Sequence, residues 1–139
     1  MNIATLRLTI RTEGHTDVID ITEKVQANLE KAGLQEGTVT VFVVGSTGGL
    51  STVEYEPGLV GDLKGLFDRV APEDISYGHE ERWHDGNGHS HVRATLLGPS
   101  LTVPFEAGKL ILGTWQQIVF IDFDVRPRSR DLVTQFAGV

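Results

Sequence analysis

Residues 84–93 read HDGNGHSHVR, the densest run of proton-carrying and metal-ligating side chains in the chain. Three of the five histidines, His84, His89 and His91, fall within it. The run leads into an apolar stretch, ATLLG at 94–98, and the segment predicts a β-strand over 89–97. Side chains alternate faces along a strand, so His89, His91 and Arg93 would share one face. Two imidazoles placed this way make a usable metal-ligand pair, and His84 offers a third ligand from the preceding loop. The expected cofactor is a divalent metal, zinc or magnesium. Gly86 and Gly88 flank Asn87 and suit a tight turn just before the strand. The same pattern also reads, without any metal, as a polar loop followed by a half-solvated strand.

A second candidate is the small-residue loop GSTGG at 45–49, which follows the β-branched, apolar segment 38–44, read as a strand. Ser46, Thr47, Gly48 and Gly49 would let backbone N–H groups approach an anion closely, with Arg93 supplying charge. The plainer reading of this loop is a turn. A third feature is the segment 115–125. Val119, Ile121, Phe123 and Val125 alternate with Ile118, Phe120, Asp122 and Asp124. Two acids at the end of an apolar face need partners or solvent. Arg126, Arg128 and Arg130 share their parity, and the expectation is a surface ion-pair ladder, with Pro127 marking a break or an edge. His15 and His79 read as surface residues, and Trp83 as packing or an aromatic lid.

These residues need elements to position them. Residues 3–11 alternate as a strand, and 18–21 end a second strand. A helix starts near Asp20 or Thr22, where Asp20 and Glu23 resemble a capping box. Ile21, Val25, Leu29 and Ala32 fall on one helical face, and Gly33 suits the helix stop. Residues 50–55 return as a strand. Pro57 suits the first position of a second helix, whose face carries Leu59, Val60, Leu63, Leu66, Phe67 and Val70 and which ends at Pro72. Residues 72–88 read as a long loop, a length more often functional than accidental. Further strands are expected near 100–104, 109–112 and 129–137.

With 139 residues, 40% hydrophobic and 22% charged, the chain fits one globular domain. The absence of cysteine excludes disulfides and thiolate chemistry. A net charge of −7 argues against a general nucleic-acid partner. The first residues lack a basic segment followed by an apolar run, and no apolar stretch approaches the roughly 18 residues of a membrane span. A soluble cytoplasmic protein, with no membrane partner, is the expectation.

Three strings, DGNGHSHVRATLLG at 85–98, LTVP at 101–104 and LGTWQ at 112–116, resemble the YjbQ-like family, often labelled secondary thiamine-phosphate synthase. The segment 41–43 and the loop 45–50 fit its earlier half, and the likeness spans roughly residues 5–137. The resemblance implies an α+β fold, mainly antiparallel sheet with two helices, assembled as a homotrimer. It implies an enzyme joining a hydroxymethylpyrimidine diphosphate to a thiazole phosphate. Typical members carry histidine at the position of Gly45 and asparagine at that of Val53, ahead of an acid matched by Glu54. His89 stands where aspartate is frequent, and Arg93 where lysine is common.

Three functions follow from these features. In an enzyme, His89, His91, Arg93, Asn87 and Glu54 would form the catalytic set. Ser46, Thr47, Gly48, Gly49, Trp115 and Gln116 would then bind a small phosphorylated substrate. Arg93, a metal or both would stabilise a diphosphate leaving group. In a binding module, the same residues would hold a metal or phosphorylated ligand in a trimer without turnover. A purely structural trimer would leave the polar run without a purpose.

Overall fold

A computed structural model describes residues 1–139. The elements run β1 (Asn2–Thr12), β2 (Asp17–Asp20), α1 (Thr22–Ala32), β3 (Gly37–Val43), β4 (Gly48–Val53) and α2 (Pro57–Val70). They continue with α3 (Gly78–Trp83), α4 (Gly88–Leu97), β5 (Ser100–Glu106), β6 (Lys109–Leu110), β7 (Gln117–Asp122) and β8 (Arg128–Gly138). Two sheets form, a five-stranded one ordered β1-β8-β3-β5-β6 and a three-stranded one ordered β2-β7-β4. Every pairing is antiparallel. This is the expected α+β class, dominated by antiparallel sheet. No helix is long and apolar enough to cross a membrane.

The sheets stack because β7 has two apolar faces. Ile118 and Phe120 join Val39, Val41, Leu132 and Phe136 of the large sheet and Val25 and Leu29 of α1 in the main core. Val119, Ile121 and Phe123 point the other way, onto Phe67 of α2 and Ala94 of α4. Phe67 and Phe123 meet edge to face at 4.7 Å, a geometry worth about 0.5–1.5 kcal/mol beyond burial. The small sheet is therefore a middle layer, with the large sheet on one side and α2 and α4 on the other.

Local signals explain most boundaries. Glu56 caps α2 by accepting from Gly58 N and Leu59 N, and Pro57 occupies the first turn. Gly33, at φ 68°, closes α1 in the left-handed conformation. The expected capping box at Asp20 is replaced by a different contact, because the cap position falls on Ile21 and Asp20 accepts from Thr22 N and Oγ1.

One element differs in type. Residues 89–97, expected as a strand, form α4. Buried His89, Ser90, Arg93 and Ala94 recur at helical spacing, and Ser90 Oγ donates to Phe123 O on the end of the middle sheet. The start of α4 is capped from a distance, by Glu80 Oε1 of α3 accepting from Gly88 N at 2.6 Å. A carboxylate there satisfies an orphan donor and complements the helix dipole. The segment 72–88, expected as loop, contains α3 for the same reason: the two short helices close on each other through this contact.

Gly48 and Gly49, expected in a ligand loop, lie in β4 opposite Asp122 and Ile121. A side chain on Gly48 would drive its Cβ into the Phe120 ring. Gly48→Val is therefore expected to destabilise the fold by roughly 1–3 kcal/mol through overpacking. A urea midpoint unchanged from the wild type would contradict this.

Candidate functional site

The helical α4 redistributes the histidines. On a helix, residues two apart lie about 200° apart. His89 faces inward at 2% exposure, while His91 lies half-buried on the flank. The expected His89–His91–Arg93 face does not exist, and His89 and His91 do not chelate one ion. His84, the third expected ligand, takes the left-handed position that ends α3, at φ 53°, and its side chain makes no hydrogen bond.

His89 and Arg93 belong to one cluster, below α4. His89 Nε2 lies 3.2 Å from Glu73 Oε1, and His15 Nδ1 lies 3.7 Å from the same oxygen. Burial pushes the His89 imidazole below its ordinary pKa, against the pull of Glu73. Arg93 is fully engaged with Ala71 O, Thr16 Oγ1 and Asp68. It is 3% exposed and does not reach the 45–49 loop. Its contact holds Thr16 at φ 64°, a conformation costing a β-branched residue on the order of 1–3 kcal/mol.

His91 belongs to a second cluster, at the α3–α4 junction. Its ring packs on His79 at 4.3 Å between centroids. His79 Nε2 lies 3.2 Å from Asp85 Oδ1. His79, Glu80 and Asp85 bring donor atoms within 4.8 Å of one another. Burial and the neighbouring His79 push His91 below its ordinary pKa. Asp85 is held low: hydrogen bonds from Asn87 N and His79 outweigh a desolvation penalty. Lone-pair nitrogens and ionised carboxylates are the states a cation needs.

Asn87 connects this cluster to the sheets. Its Nδ2 donates to Asp124 Oδ2 at 3.2 Å. Asp124 Oδ2 also accepts from Thr47 Oγ1 and Arg128 Nε. Burial raises the Asp124 pKa, but the hydrogen bonds from Asn87, Thr47 and Arg128 win and hold it low. Asn87 Oδ1 and Asp124 Oδ1 are buried without a hydrogen-bond partner. Behind them, Arg130 grips Asp122 through Nε and Nη2 at 2.7 and 2.8 Å. Of the residues expected to form a surface ladder, Asp122, Asp124 and Arg130 are instead buried between the sheets, Arg128 reaches Asp124 from a half-exposed position, and Arg126 stays on the surface.

The remaining expected residues lie apart from both clusters. Gln116 donates to Thr52 Oγ1 and accepts from Gly113 N, lining a groove with Leu101 and Ile111. Trp115, 73% exposed, sits on the same turn. Glu54 is exposed at the exit of β4 and makes no hydrogen bond or ion pair. Thr47 faces inward to Asp124 and Arg130, whereas Gly45 and Ser46 line an open groove beside Ala94 and Thr95 of α4. Sequence reasoning passed over Glu80, Glu73 and the metal-ligating pairing of His79 with Asp85. The available signal was five such side chains within seven residues, His79, Glu80, Glu81, His84 and Asp85.

A five-stranded antiparallel sheet stacked on a three-stranded one, with a histidine–carboxylate junction on the helical side, defines the class of protein. The chain belongs to the UPF0047 YjbQ-like family, whose profile matches residues 6–139. A UPF0047 protein of Methanothermobacter thermautotrophicus is 40% identical over 138 residues, covering 99% of this chain and 94% of that protein. UPF0047 protein YugU of Bacillus subtilis is 35% identical, covering 94% and 97%. Among solved structures, a hypothetical protein from Aeropyrum pernix K1 superposes with a TM-score of 0.90 at 31% identity, covering 98% of this chain and 99% of that one. A YbjQ-like protein of unknown function from Sulfolobus solfataricus P2 superposes with a TM-score of 0.89 at 28% identity, covering 99% and 100%.

Two expectations follow. Removing Asp122 leaves the buried Arg130 guanidinium with only Asp124 Oδ2, 3.6 Å away, as a counter-charge, so Asp122→Ala should cost up to roughly 3–5 kcal/mol; a loss below about 1 kcal/mol in chemical denaturation would show the pair to be dispensable. His89 and His91 both titrate below their ordinary value of 6.5 in the folded chain. Below that value the unfolded chain takes up protons that the folded chain refuses. Stability should then fall as the pH drops through about 6.5 towards the lower folded values. Thermal melts should show this fall, and His89→Gln should flatten it; a melting temperature independent of pH in this window would refute the assignment.

Proposed function

We propose that this chain is a divalent-metal-dependent transferase acting on small phosphorylated heteroaromatic substrates, in the manner of a thiamine-phosphate synthase. The observation that carries the reading is the convergence of His79, Glu80 and Asp85 within 4.8 Å, packed against His91. Mixed imidazole and carboxylate donors suit zinc better than magnesium, which prefers oxygen ligands and retained water. The orphaned oxygens of Asn87 and Asp124 add acceptors to the same corner of the fold.

In the reaction, the carbon–oxygen bond between the pyrimidine methylene and its diphosphate breaks, and the electron pair leaves with the diphosphate. The thiazole nitrogen supplies the pair for the new carbon–nitrogen bond. A bound cation would neutralise charge on the departing diphosphate. Asp85, held ionised by Asn87 N and His79, and Glu80, oriented by Gly88 N, would keep their oxygens aimed at the cation's position. Asn87 fixes the α4 start against Asp124 and so fixes the spacing of the ligands.

A second reading, a trimeric metal- or ligand-binding module without turnover, is favoured by one observation. Val70, Val92 and Leu96 expose 54%, 46% and 61% of their surface, and with His91 and Thr95 they line one shallow groove between α2 and α4. Apolar surface of this kind suits contact with further copies of the chain.

Purified protein should carry near-stoichiometric zinc, and His79→Ala or Asp85→Asn should lower its retention at least about tenfold. The wild type should release pyrophosphate from hydroxymethylpyrimidine diphosphate only when thiazole phosphate is present. Zinc without pyrophosphate release would favour the binding module, and protein that neither retains zinc nor releases pyrophosphate would overturn the transferase reading. Light scattering should give a trimer mass; a monomer at micromolar concentration would remove the module's assembly.

A further inference from the structure

We infer that Arg130 and the 45–47 loop form a binding site for a tetrahedral oxyanion, the phosphate of a small phosphorylated molecule. Arg130 points inward from β8, in the same row as Leu132, Thr134 and Phe136. Its Nε and Nη2 are committed to Asp122 and Thr47. Its Nη1 makes no hydrogen bond in the chain, although the residue is only 8% exposed. That nitrogen lies 3.3 Å from where a Cβ on Gly45 would stand, and nothing else lies within 4 Å of that point. Gly45 leaves Nη1 with no side chain over it, and Gly45 itself lines a groove of about 260 Å³ with Ser46, Gly48, Ala94, Thr95 and Pro99.

The loop supplies more donors. The backbone N–H groups of Gly45, Ser46 and Thr47 donate to no backbone or side-chain acceptor, in contrast to Val44 N just before them, which donates to Asp131 O. Consecutive free N–H groups beside a fixed guanidinium are the elements of an anion-binding nest. Asp122 and Thr47 hold the guanidinium plane in place before any ligand arrives, so little side-chain entropy is lost on binding. Three consecutive free N–H groups and a guanidinium N–H offer more donors than a planar carboxylate can use, and a tetrahedral phosphate can take them. The chain's net charge of −7 disfavours a nucleic-acid backbone as the source.

This inference deepens the transferase reading by placing the substrate's phosphate, yet it rests on Arg130 and not on the metal cluster. The test uses inorganic phosphate and pyrophosphate with chelator-treated protein, against sodium chloride at matched ionic strength and against acetate. Binding to the folded state raises the melting temperature by mass action. Wild type should show a dose-dependent rise with both phosphates. Gly45→Asp places a carboxylate where the anion would sit and should abolish the rise while melting no lower than wild type without ligand. Arg130→Lys keeps the charge but loses the free Nη1, and should weaken phosphate binding at least tenfold. His79→Ala, which removes a metal donor, should leave the phosphate response intact, so this site and the metal site fail separately. No rise with either phosphate, or an undiminished rise in Gly45→Asp, overturns the inference; an equal rise with acetate overturns the assignment to phosphate.

Discussion

The Asp122–Arg130 ion pair fixes the relation between the two sheets, and the functional corner is built outward from it. Asp122 ends the middle strand β7, and Arg130 begins the inward row of β8. Neither charge can stay unpaired in that position, since desolvating a lone ion costs several kcal/mol. Asp122 also accepts from Thr12 Oγ1 at the end of β1 and from Asp124 N. The ends of β1, β7 and β8 are thereby tied to one carboxylate. A hydrophobic pair of similar size would give equal or greater stability. What the ion pair adds is direction: it specifies which residues meet at that end of the sandwich.

From there the chain of contacts is short. Arg130 Nη2 donates to Thr47 Oγ1, Thr47 donates to Asp124, and Asn87 donates to the same Asp124 oxygen. Asn87 starts α4, and His91 lies one turn further on. Its N–H bonds to Asn87 O. Glu80 then ties α3 to that same start. Each step is a hydrogen bond, and those through Thr47, Asp124 and Asn87 join groups buried away from water. The histidine–carboxylate junction therefore inherits its position from the sheets, although it lies on two short helices that would have little stability alone.

Where a segment's own pattern matched its surroundings, the sequence was readable. β3 is β-branched and apolar, α2 carries Glu56 and Pro57 at its start, and α1 has Gly33 at its end; all were placed within a few residues. The parity of β7 was also legible, down to Asp122 and Asp124 sharing a face with Phe120. What could not be read was that both faces of β7 are covered. Coverage of the Phe120 face by the large sheet, from which Arg130 projects, turned part of an expected surface ladder into a buried network. Burial of this kind is a property of the whole fold and leaves little mark on the local sequence.

The misassigned segment 89–97 shows the same limit at a functional element. GHSHVRATLL alternates well enough to pass for a strand, and its apolar Val92 and Leu96 lie on the outside of the actual helix. The inward face is instead polar: His89, Ser90 and Arg93 are buried because Glu73, Phe123 O, Ala71 O and Thr16 wait for them. A helix whose buried face is polar and whose exposed face is apolar inverts the usual amphipathic signal. Two demands explain the inversion. The inner face must anchor the strained 15–16 crossing between the sheets, which Arg93 does. The outer face presents His91 and Thr95 beside Val70, Val92 and Leu96. Both demands are placed on ten residues by their neighbours, so the identity of the helix was written in Glu80, Thr16 and Phe123 rather than in the segment itself.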